Sequence, residues 1–284
     1  MERLNDILLY IKQRQCALFI GAGISKIAGC YDWDSVINDM FAHPTIQTKE
    51  IRRDDLTQKF SNEELISYCY QLFVEHEIEN DYWGIVRNAF LFDNDLFKNK
   101  YLPVLKLLKK INPPPPIITT NIDYCLEFTK EYDLSKVFFT PEHFAKANLS
   151  EGGIFHIHGC FEKLAESVIL RERYIERYGN AEFQGFLERL FSQYSVIFLG
   201  YSLRDQGIKD TILSTKNNNV KHFQLVPAED NLSTSDRTVL LEMYQIMTIV
   251  YGQRDSFYDF LREWITRNFE ITQLSVEDIS RPNV

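Results

Sequence analysis

The sequence predicts an α/β fold in which helices cover both faces of a doubly wound parallel sheet, with a helical insertion beside it. Three observations support this. Short, continuously apolar runs recur along the 284 residues, as in strands that are buried on both faces. Stretches with the periodicity of amphipathic helices separate most of these runs. A glycine or a small polar residue follows several of them, as at strand ends. Together these features indicate a Rossmann-like architecture.

The predicted elements follow from apolar runs and from helical spacing. The predicted strands are CALFIGAG (16–23), PIITTN (116–121), KVFFT (136–140), GGIFHIHG (152–159), SVIL (167–170), SVIFLG (195–200), HFQLV (222–226) and MTIVYG (247–252). Helices are predicted at 4–11, 33–41, 123–131, 181–193, 203–214, 234–245 and 255–268.

The domain organisation is predicted from where strands are missing. From about Thr48 to Leu108 the signals are mostly helical, which predicts an insertion beside the main sheet. Residues 1–268 are therefore expected to form one domain with a helical insertion at about 48–108. Residues 269–284 lose the periodicity and are expected to form a C-terminal tail.

Composition excludes several classes of partner. The formal net charge is -9, so no direct nucleic-acid binding is expected, because phosphate contacts need clustered Lys and Arg. The lysines of segment 98–110 are expected to form the solvated face of a helix. No apolar stretch is long enough for a membrane span, and the charged N-terminal segment is unlike a signal peptide. These features predict a cytoplasmic protein with no membrane contact.

The cysteines give no sign of a metal centre or a disulfide framework. The five are scattered at positions 16, 30, 69, 125 and 160 without a C-x-x-C pair. Zinc sites and disulfide scaffolds have recognisable spacings, so no metal is expected.

A glycine turn follows the first predicted strand at Gly21–Ser25. Glycines there let the backbone approach a ligand closely, and the N–H groups that follow can face a phosphate. The segment has neither the G-x-x-x-x-G-K of a P-loop nor the third glycine of a dinucleotide fingerprint, because that position holds Lys26. The turn therefore indicates either a nucleotide site or a tight structural turn.

Three further strand ends carry polar side chains. Asn121 and Asp123 stand at the end of the apolar run that follows the four prolines, and Ser202 stands two residues after Gly200. Each of these side chains could also form a turn or cap a helix. His156 and His158 alternate with apolar residues, so both are expected on one side of a strand. His156 is expected to be a hydrogen-bonded core residue, and His158 a general base at the strand end.

The four strand ends together predict one functional crevice. Parallel strands bring their carboxyl ends to the same edge of a sheet, where open α/β folds bind ligands. With these four strand ends, the chain resembles the sirtuin family. Gly21–Ser25, Thr120–Asp123, His158–Gly159 and Gly200–Ser202 are similar, in this order, to the sirtuin GAGIS turn, Q-N-I-D motif, catalytic His-Gly and G-x-S turn. The resemblance spans about residues 15–260.

The positions where the chain departs from the sirtuin pattern indicate which sirtuin-like branch it resembles. Residues 29–34 read GCYDWD where sirtuins have G-I-P-D-F-R, so Asp34 replaces an arginine, and the paired cysteines of the sirtuin zinc module are missing. With TTNID, FHIHG and GYSLRD, these features resemble a sirtuin-like bacterial branch of antiphage defence that lacks the zinc module. Members of that branch hydrolyse NAD+ instead of deacylating proteins.

The resemblance implies a role for each motif. Asn121 and His158 are the implied catalytic residues: Asn121 orients a water near the ribose and His158 accepts a proton. Asp123 is implied to receive the nicotinamide carboxamide. The implied NAD+-binding residues are Gly21, Ala22, Gly23, Ser25, Asp32, Trp33, Thr120, Asp123, Gly200 and Ser202.

The function implied by the resemblance is NAD+ glycohydrolysis, which would deplete NAD+ in abortive infection. NAD+ is then a substrate. A homo-oligomer, a separate sensor, or an ATPase partner of HerA type or associated with Argonaute is expected to regulate the activity. Two alternatives stay open: an NAD-dependent protein deacylase, and a non-catalytic module that binds NAD or ADP-ribose in an assembly.

Overall fold

The computed structural model describes residues 16–47, 56, 59–111, 114–128, 136–216 and 220–266. The helix predicted at 4–11 and the tail predicted at 269–284 lie outside these residues. The described strands are β1 Cys16–Ile20, β2 Ile117–Thr119, β3 Val137–Phe138, β4 Ile154–His156, β5 Ser195–Leu199, β6 His222–Pro227 and β7 Ile246–Tyr251.

The described strands form one sheet in the order β3-β4-β2-β1-β5-β6-β7, and every pair is parallel. The first described strand, β1, lies in the middle; β2, β4 and β3 follow outward on one side, and β5, β6 and β7 on the other. The order reverses between β1 and β5, which is the position where doubly wound sheets open a crevice. The predicted α/β class is therefore confirmed.

Two hydrophobic cores cover the two faces of the sheet. In β1, Leu18 and Ile20 enter one core, whereas Ala17 and Phe19 enter the other. The same alternation holds in β5, where Ile197 belongs to the first core. Because both faces are buried, strands such as β1 and β5 read as nearly continuous apolar runs, which is why the sequence revealed them.

Helices connect the strands and cover both faces. The described helices are α1 Ala22–Ser25, α2 Trp33–Ala42, α3 Pro44–Gln47, α4 Asn62–Glu75, α5 Glu79–Ala89, α6 Asn94–Leu96, α7 Leu102–Lys109, α8 Pro141–Lys146, α9 Arg171–Gly179, α10 Ala181–Gln193, α11 Gln206–Ser214, α12 Thr234–Tyr244 and α13 Phe257–Ile265. A π-helical turn, Phe97–Tyr101, leads into α7. The helices predicted at 33–41, 181–193, 203–214 and 234–245 are confirmed, with ends that differ by a few residues, and the helix predicted at 255–268 is confirmed up to the end of the described residues, Thr266.

The predicted insertion contains helices and no strand in its described residues. Its helices α4 and α5 pack with α2 around a third core, in which Phe73 and Tyr82 are fully buried. Ile122, which directly follows Asn121, also enters this core. The insertion is thus packed against the segment that carries the candidate site.

One predicted strand is wrong, and the described part of one predicted helix is not helical. Residues 167–170, predicted as a strand, form no ladder; Val168 N–H donates to the His158 carbonyl at 2.7 Å, and Val168 and Ile169 are buried. Their apolar character reflects burial in a loop. Of the helix predicted at 123–131, residues 123–128 form bends and turns, in which the Asp123 carboxylate accepts the Cys125 N–H at 2.9 Å, and residues 129–131 lie outside the described residues.

Among the helices of the described residues, none combines the length and the apolar character needed to cross a bilayer.

Candidate functional site

A crevice of about 1620 Å³ runs along the edge where β1, β2, β4 and β5 end. Small-molecule sites typically enclose about 300–1,000 Å³, so this crevice has room for an extended ligand. The predicted site residues that line it are Ala22, Gly23, Asp32, Trp33, Thr120, Asn121, Asp123, His158, Gly200 and Ser202. Gly21 and Ser25 are buried behind its wall. The structure therefore brings the four predicted strand ends together.

The glycines of the first and fourth strand ends let these two turns touch. A Cβ atom on Gly21 would lie 2.5 Å from the Gly200 carbonyl oxygen, and one on Gly200 would lie 2.6 Å from the Ile24 nitrogen. Gly200 also has φ +60°, which favours glycine. The Gly23 N–H, expected from sequence to be free to face a phosphate, donates to the Gly200 carbonyl at 2.9 Å. Packing between the turns thus explains these glycines without any ligand.

Ser25 connects the two polar residues that follow β2. The Asn121 side-chain amide donates from Nδ2 to Ser25 Oγ at 2.9 Å, and the Ser25 hydroxyl is hydrogen-bonded to Asp123. Burial raises the pKa of Asp123, although Ser25 and the Cys125 N–H oppose the shift. Since Nδ2 is used by Ser25, Asn121 presents its oxygen Oδ1 as an acceptor for a ligand or a water.

Buried polar groups also fix the backbone of Asn121. The Thr119 hydroxyl donates to the Ile20 carbonyl at 2.8 Å and accepts the Asn121 N–H at 2.9 Å. His156 Nδ1 lies 2.9 Å from the Asn121 carbonyl oxygen, and its Nε2 contacts the Glu127 carboxylate. Burial opposes protonation of His156, but these two acceptors outweigh it and raise its pKa. His156 is therefore the hydrogen-bonded core residue that the sequence predicts.

His158 has entirely different partners. Because β4 ends at His156, strand alternation does not extend to His158, and the two imidazoles do not share an environment. His158 Nε2 lies 3.1 Å from the Tyr178 hydroxyl and 3.4 Å from Asp205 Oδ2. Burial lowers the pKa of His158 to about 4; Asp205 opposes this shift and Arg177 adds to it. His158 is therefore neutral at pH 7.

The hydrogen-bond network selects one tautomer of the neutral imidazole. The Tyr178 hydroxyl donates to Asp205 Oδ2 at 2.9 Å, so its oxygen and the carboxylate are both acceptors toward His158. Nε2 then carries the proton, and Nδ1 keeps its lone pair. A lone pair at Nδ1 makes His158 a proton acceptor.

Tyr174 completes this group, and sequence reasoning missed it together with Tyr178 and Asp205. Tyr174 donates to Asp205 Oδ1 at 2.7 Å and stacks on Tyr178 with ring centroids 4.3 Å apart. The available signal was the Tyr-x-x-x-Tyr spacing of α9, which places both rings on one helix face. Asp205 resembled a helix cap, and it is one, since Oδ1 also accepts the Ile208 N–H at 3.1 Å.

Asp32 and Trp33 have structural partners at the mouth of the crevice. Asp32 caps α2 by accepting the Ser35 N–H at 2.9 Å, and it pairs with Lys26 Nζ at 2.6 Å. Partial burial would raise the pKa of Asp32, but these contacts lower it to about 2. The Trp33 ring packs edge-on against Phe90, with centroids 5.5 Å apart.

Asp34, which stands where the sirtuin pattern has an arginine, faces an arginine from another strand end. Its Oδ2 lies 3.5 Å from Arg204 Nη1, in the turn after β5. Both side chains line the crevice. Ser202 in the same turn is exposed and leaves the capping of α11 to Asp205.

A thiol pair lies beside Asp123, although the cysteines are scattered in sequence. Cys30 Sγ and Cys125 Sγ are 3.7 Å apart and come from positions separated by 95 residues. One oxygen of Asp123 and these two sulfurs all lie within 4.8 Å of one another, and all three residues are buried. Linear spacing could not reveal this group, because the fold alone brings Cys30 to the end of β2.

Residues 115–249 match the family model of the SIR2-like domain. The family-model match covers three of the four motifs, those at Thr120–Asp123, His158–Gly159 and Gly200–Ser202. A solved structure described as the crystal structure of a SIR2 homolog–NAD complex is similar over 94% of this chain and 94% of that chain, with 14% sequence identity and a TM-score of 0.49. No curated protein matches the chain. By this match, residues 115–249 of the chain are similar to the SIR2-like domain.

Proposed function

We propose that this chain hydrolyses NAD+ to nicotinamide and ADP-ribose. The observation that supports this most strongly is that Asn121 and His158 line the same crevice, each held in place by hydrogen bonds. Asn121 is held through Ser25 with its oxygen available, and His158 is held as a neutral proton acceptor. Hydrolysis of a glycosidic bond needs a positioned water and an acceptor for its proton.

Cleavage of the bond to nicotinamide does not need a strong general acid. The bond between the ribose anomeric carbon and the nicotinamide nitrogen breaks, and its electron pair neutralises the cationic ring. Water then adds to the oxocarbenium-like carbon, and its proton leaves, so the overall products are nicotinamide, ADP-ribose and one proton. The enzyme therefore has to orient the dinucleotide and the water.

In this proposal Asn121 Oδ1 receives a hydrogen bond from the water or a ribose hydroxyl. His158 Nδ1 accepts the proton, and Asp205 stabilises the imidazolium that results. Asp123 bonds the nicotinamide carboxamide, which both forms of a carboxyl group can do.

The remaining predicted residues divide by position. Ala22, Thr120 and Ser202 line the crevice and are proposed to contact NAD+ directly. Ser25 and Gly21 are buried, so we assign Ser25 to positioning Asn121 and Asp123, and Gly21 to contact between the turns.

The cellular role remains a proposal that rests on sequence resemblance. The chain is proposed to act in the bacterial cytoplasm as an antiphage effector that depletes NAD+, with residues 1–268 as one domain. Unrestrained hydrolysis would exhaust the NAD+ of the host cell, so activity is proposed to depend on a homo-oligomer or a separate partner. A specific activity that rises with protein concentration, alongside a rising particle mass, would support self-assembly.

The test of the reaction is nicotinamide release from NAD+ by the purified chain. Asn121→Ala and His158→Ala are expected to lower turnover by at least about 100-fold while the fold is retained. Matched controls are Asn88→Ala and His143→Ala, which change exposed residues away from the crevice. Equal turnover in the wild type and His158→Ala would contradict the proposed role of His158. Release only with an acylated peptide would favour a deacylase, and NAD+ binding without release a non-catalytic module.

A further inference from the structure

The group formed by Cys30, Asp123 and Cys125 has the composition of a metal site. It offers two sulfurs and one carboxylate oxygen, and the three donor atoms lie within 4.8 Å of one another. Zinc binds thiolates and carboxylates together, in tetrahedral arrangements. The proposed reaction uses neither thiol, so the pair has no role in the mechanism described above.

The distance between the sulfurs fits a shared ion. Two thiolates at about 2.3 Å from one tetrahedral zinc are about 3.8 Å apart. Cys30 Sγ and Cys125 Sγ are 3.7 Å apart. The two sulfurs could therefore bind one zinc ion without a change in their separation.

A disulfide explains the arrangement less well. Sulfurs in a disulfide are about 2.05 Å apart, so Cys30 and Cys125 would have to move together by more than about 1.5 Å. Both cysteines have free thiols in this structure.

Access to the group is from the crevice. Asp123 lines the crevice, whereas the two sulfurs lie behind it, with Cys30 4% and Cys125 0% exposed. An ion would pass Asp123 on entering. Once bound, it would occupy the carboxylate that the proposed function assigns to nicotinamide.

We propose that Cys30, Asp123 and Cys125 form a Zn²⁺ site whose occupancy inhibits NAD+ cleavage. On binding, each thiol releases its proton, Zn²⁺ gives up water ligands, and one water remains at the fourth position. The ion is an inhibitor here and takes no part in the reaction. The binding stands on the geometry alone, whereas the inhibition rests on the proposed function.

Cobalt titration of the reduced, metal-free full chain tests the binding without an activity assay. A non-thiol reductant keeps the cysteines free during the titration. Co²⁺ bound to two thiolates gives an intense sulfur-to-metal charge-transfer absorption, which Zn²⁺ abolishes by displacement. We expect one Co²⁺ per chain, and a loss of Zn²⁺ affinity of at least about 100-fold in Cys30→Ser and in Cys125→Ser, because even outer partners of metal ligands contribute 10–100-fold.

Cys69→Ser is the matched control. Cys69 is also fully buried, but it lies in α4 within the core of the insertion. It should keep the cobalt absorption, and circular dichroism should establish that all three variants are folded. No charge-transfer absorption in the wild type, or an unchanged one in both site variants, would overturn the proposed site.

The inhibition is measured separately, with Zn²⁺ added to the NAD+ assay. The wild type should lose turnover over the same Zn²⁺ range in which cobalt is displaced, and Cys30→Ser should keep at least half of its turnover there. Cobalt binding without any NAD+ turnover would sustain the site and contradict the proposed function. Turnover that zinc does not affect in a zinc-loaded wild type would overturn the inhibitory role.

Discussion

Asp205 Oδ2 lies 3.4 Å from His158 Nε2, at the point where the turn after β5 meets the turn after β4. Asp205 is buried and receives the hydroxyls of Tyr174 and Tyr178 as well. This arrangement fixes the tautomer of His158 and places a negative charge beside the imidazolium that proton transfer would create.

Asp205→Asn is therefore expected to lower kcat by at least about tenfold and to leave KM within about threefold. Asparagine keeps the cap of α11, since both residues are good N-caps, but it removes the charge. Steady-state kinetics on NAD+ give both constants. Asp210→Asn, on the exposed face of α11, is the control and should behave as the wild type. A raised KM with unchanged kcat would contradict the positioning role of Asp205.

The pH dependence follows from the lowered pKa of His158. The neutral imidazole is the active form, and it predominates above a pKa of about 4. The rate at pH 5.5 should thus stay within about twofold of that at pH 7.5. An unshifted histidine, with a pKa of about 6.5, would lose about tenfold over the same interval. The measurement is kcat/KM across this range, and a tenfold loss would contradict a desolvated His158.

Ser25→Ala tests the link between Asn121 and Asp123. It removes the acceptor of the Asn121 amide and leaves a buried donor unpaired, at a cost of about 1–3 kcal/mol in the free energy of unfolding. Turnover should fall by about tenfold, because Asn121 loses its fixed orientation. Urea unfolding and nicotinamide release measure the two effects. Ser192→Ala, whose hydroxyl bonds only a carbonyl of its own helix, should change neither quantity appreciably.

Gly200→Ala tests the contact between the two glycine turns. A methyl group there meets the Ile24 nitrogen at 2.6 Å and requires positive φ, so we expect destabilisation by more than about 2 kcal/mol. Gly84→Ala in α5 has no atom within 4 Å of its new methyl group and should stabilise by about 0.5–1 kcal/mol. Denaturant unfolding measures the change in the free energy of unfolding of each variant relative to the wild type. Similar changes in the two variants would contradict the packing argument.

Much of the sheet could be predicted from sequence, because strands buried on both faces keep their apolar pattern. Residues 167–170 have that pattern too, but they form a loop. An apolar run therefore predicts that a segment is buried, but not that it pairs with a neighbouring strand. Residues 123–128 form turns where a helix was predicted, because Asp123 bonds the backbone that follows it. Local side-chain bonds of this kind compete with helix formation.

The crevice could be predicted from four strand ends, but its supporting residues could not. Asn121 and His158 follow strands, so topology alone brings them to one edge. Asp205 was visible only as a helix cap, and Tyr178 lies in α9, a helix that was not predicted from the sequence. The contact of Cys30 with Cys125 depends on a separation of 95 residues, which no linear motif encodes.

The most direct test of the central claim is product analysis of NAD+ incubated with the purified chain, with no acylated peptide present. We predict equal amounts of nicotinamide and ADP-ribose, formed by the wild type and reduced at least about 100-fold in His158→Ala. The assay should cover protein concentrations on both sides of any change in particle mass. NAD+ that is bound but uncleaved at every concentration, including those at which the chain has assembled, would contradict hydrolysis by the chain itself.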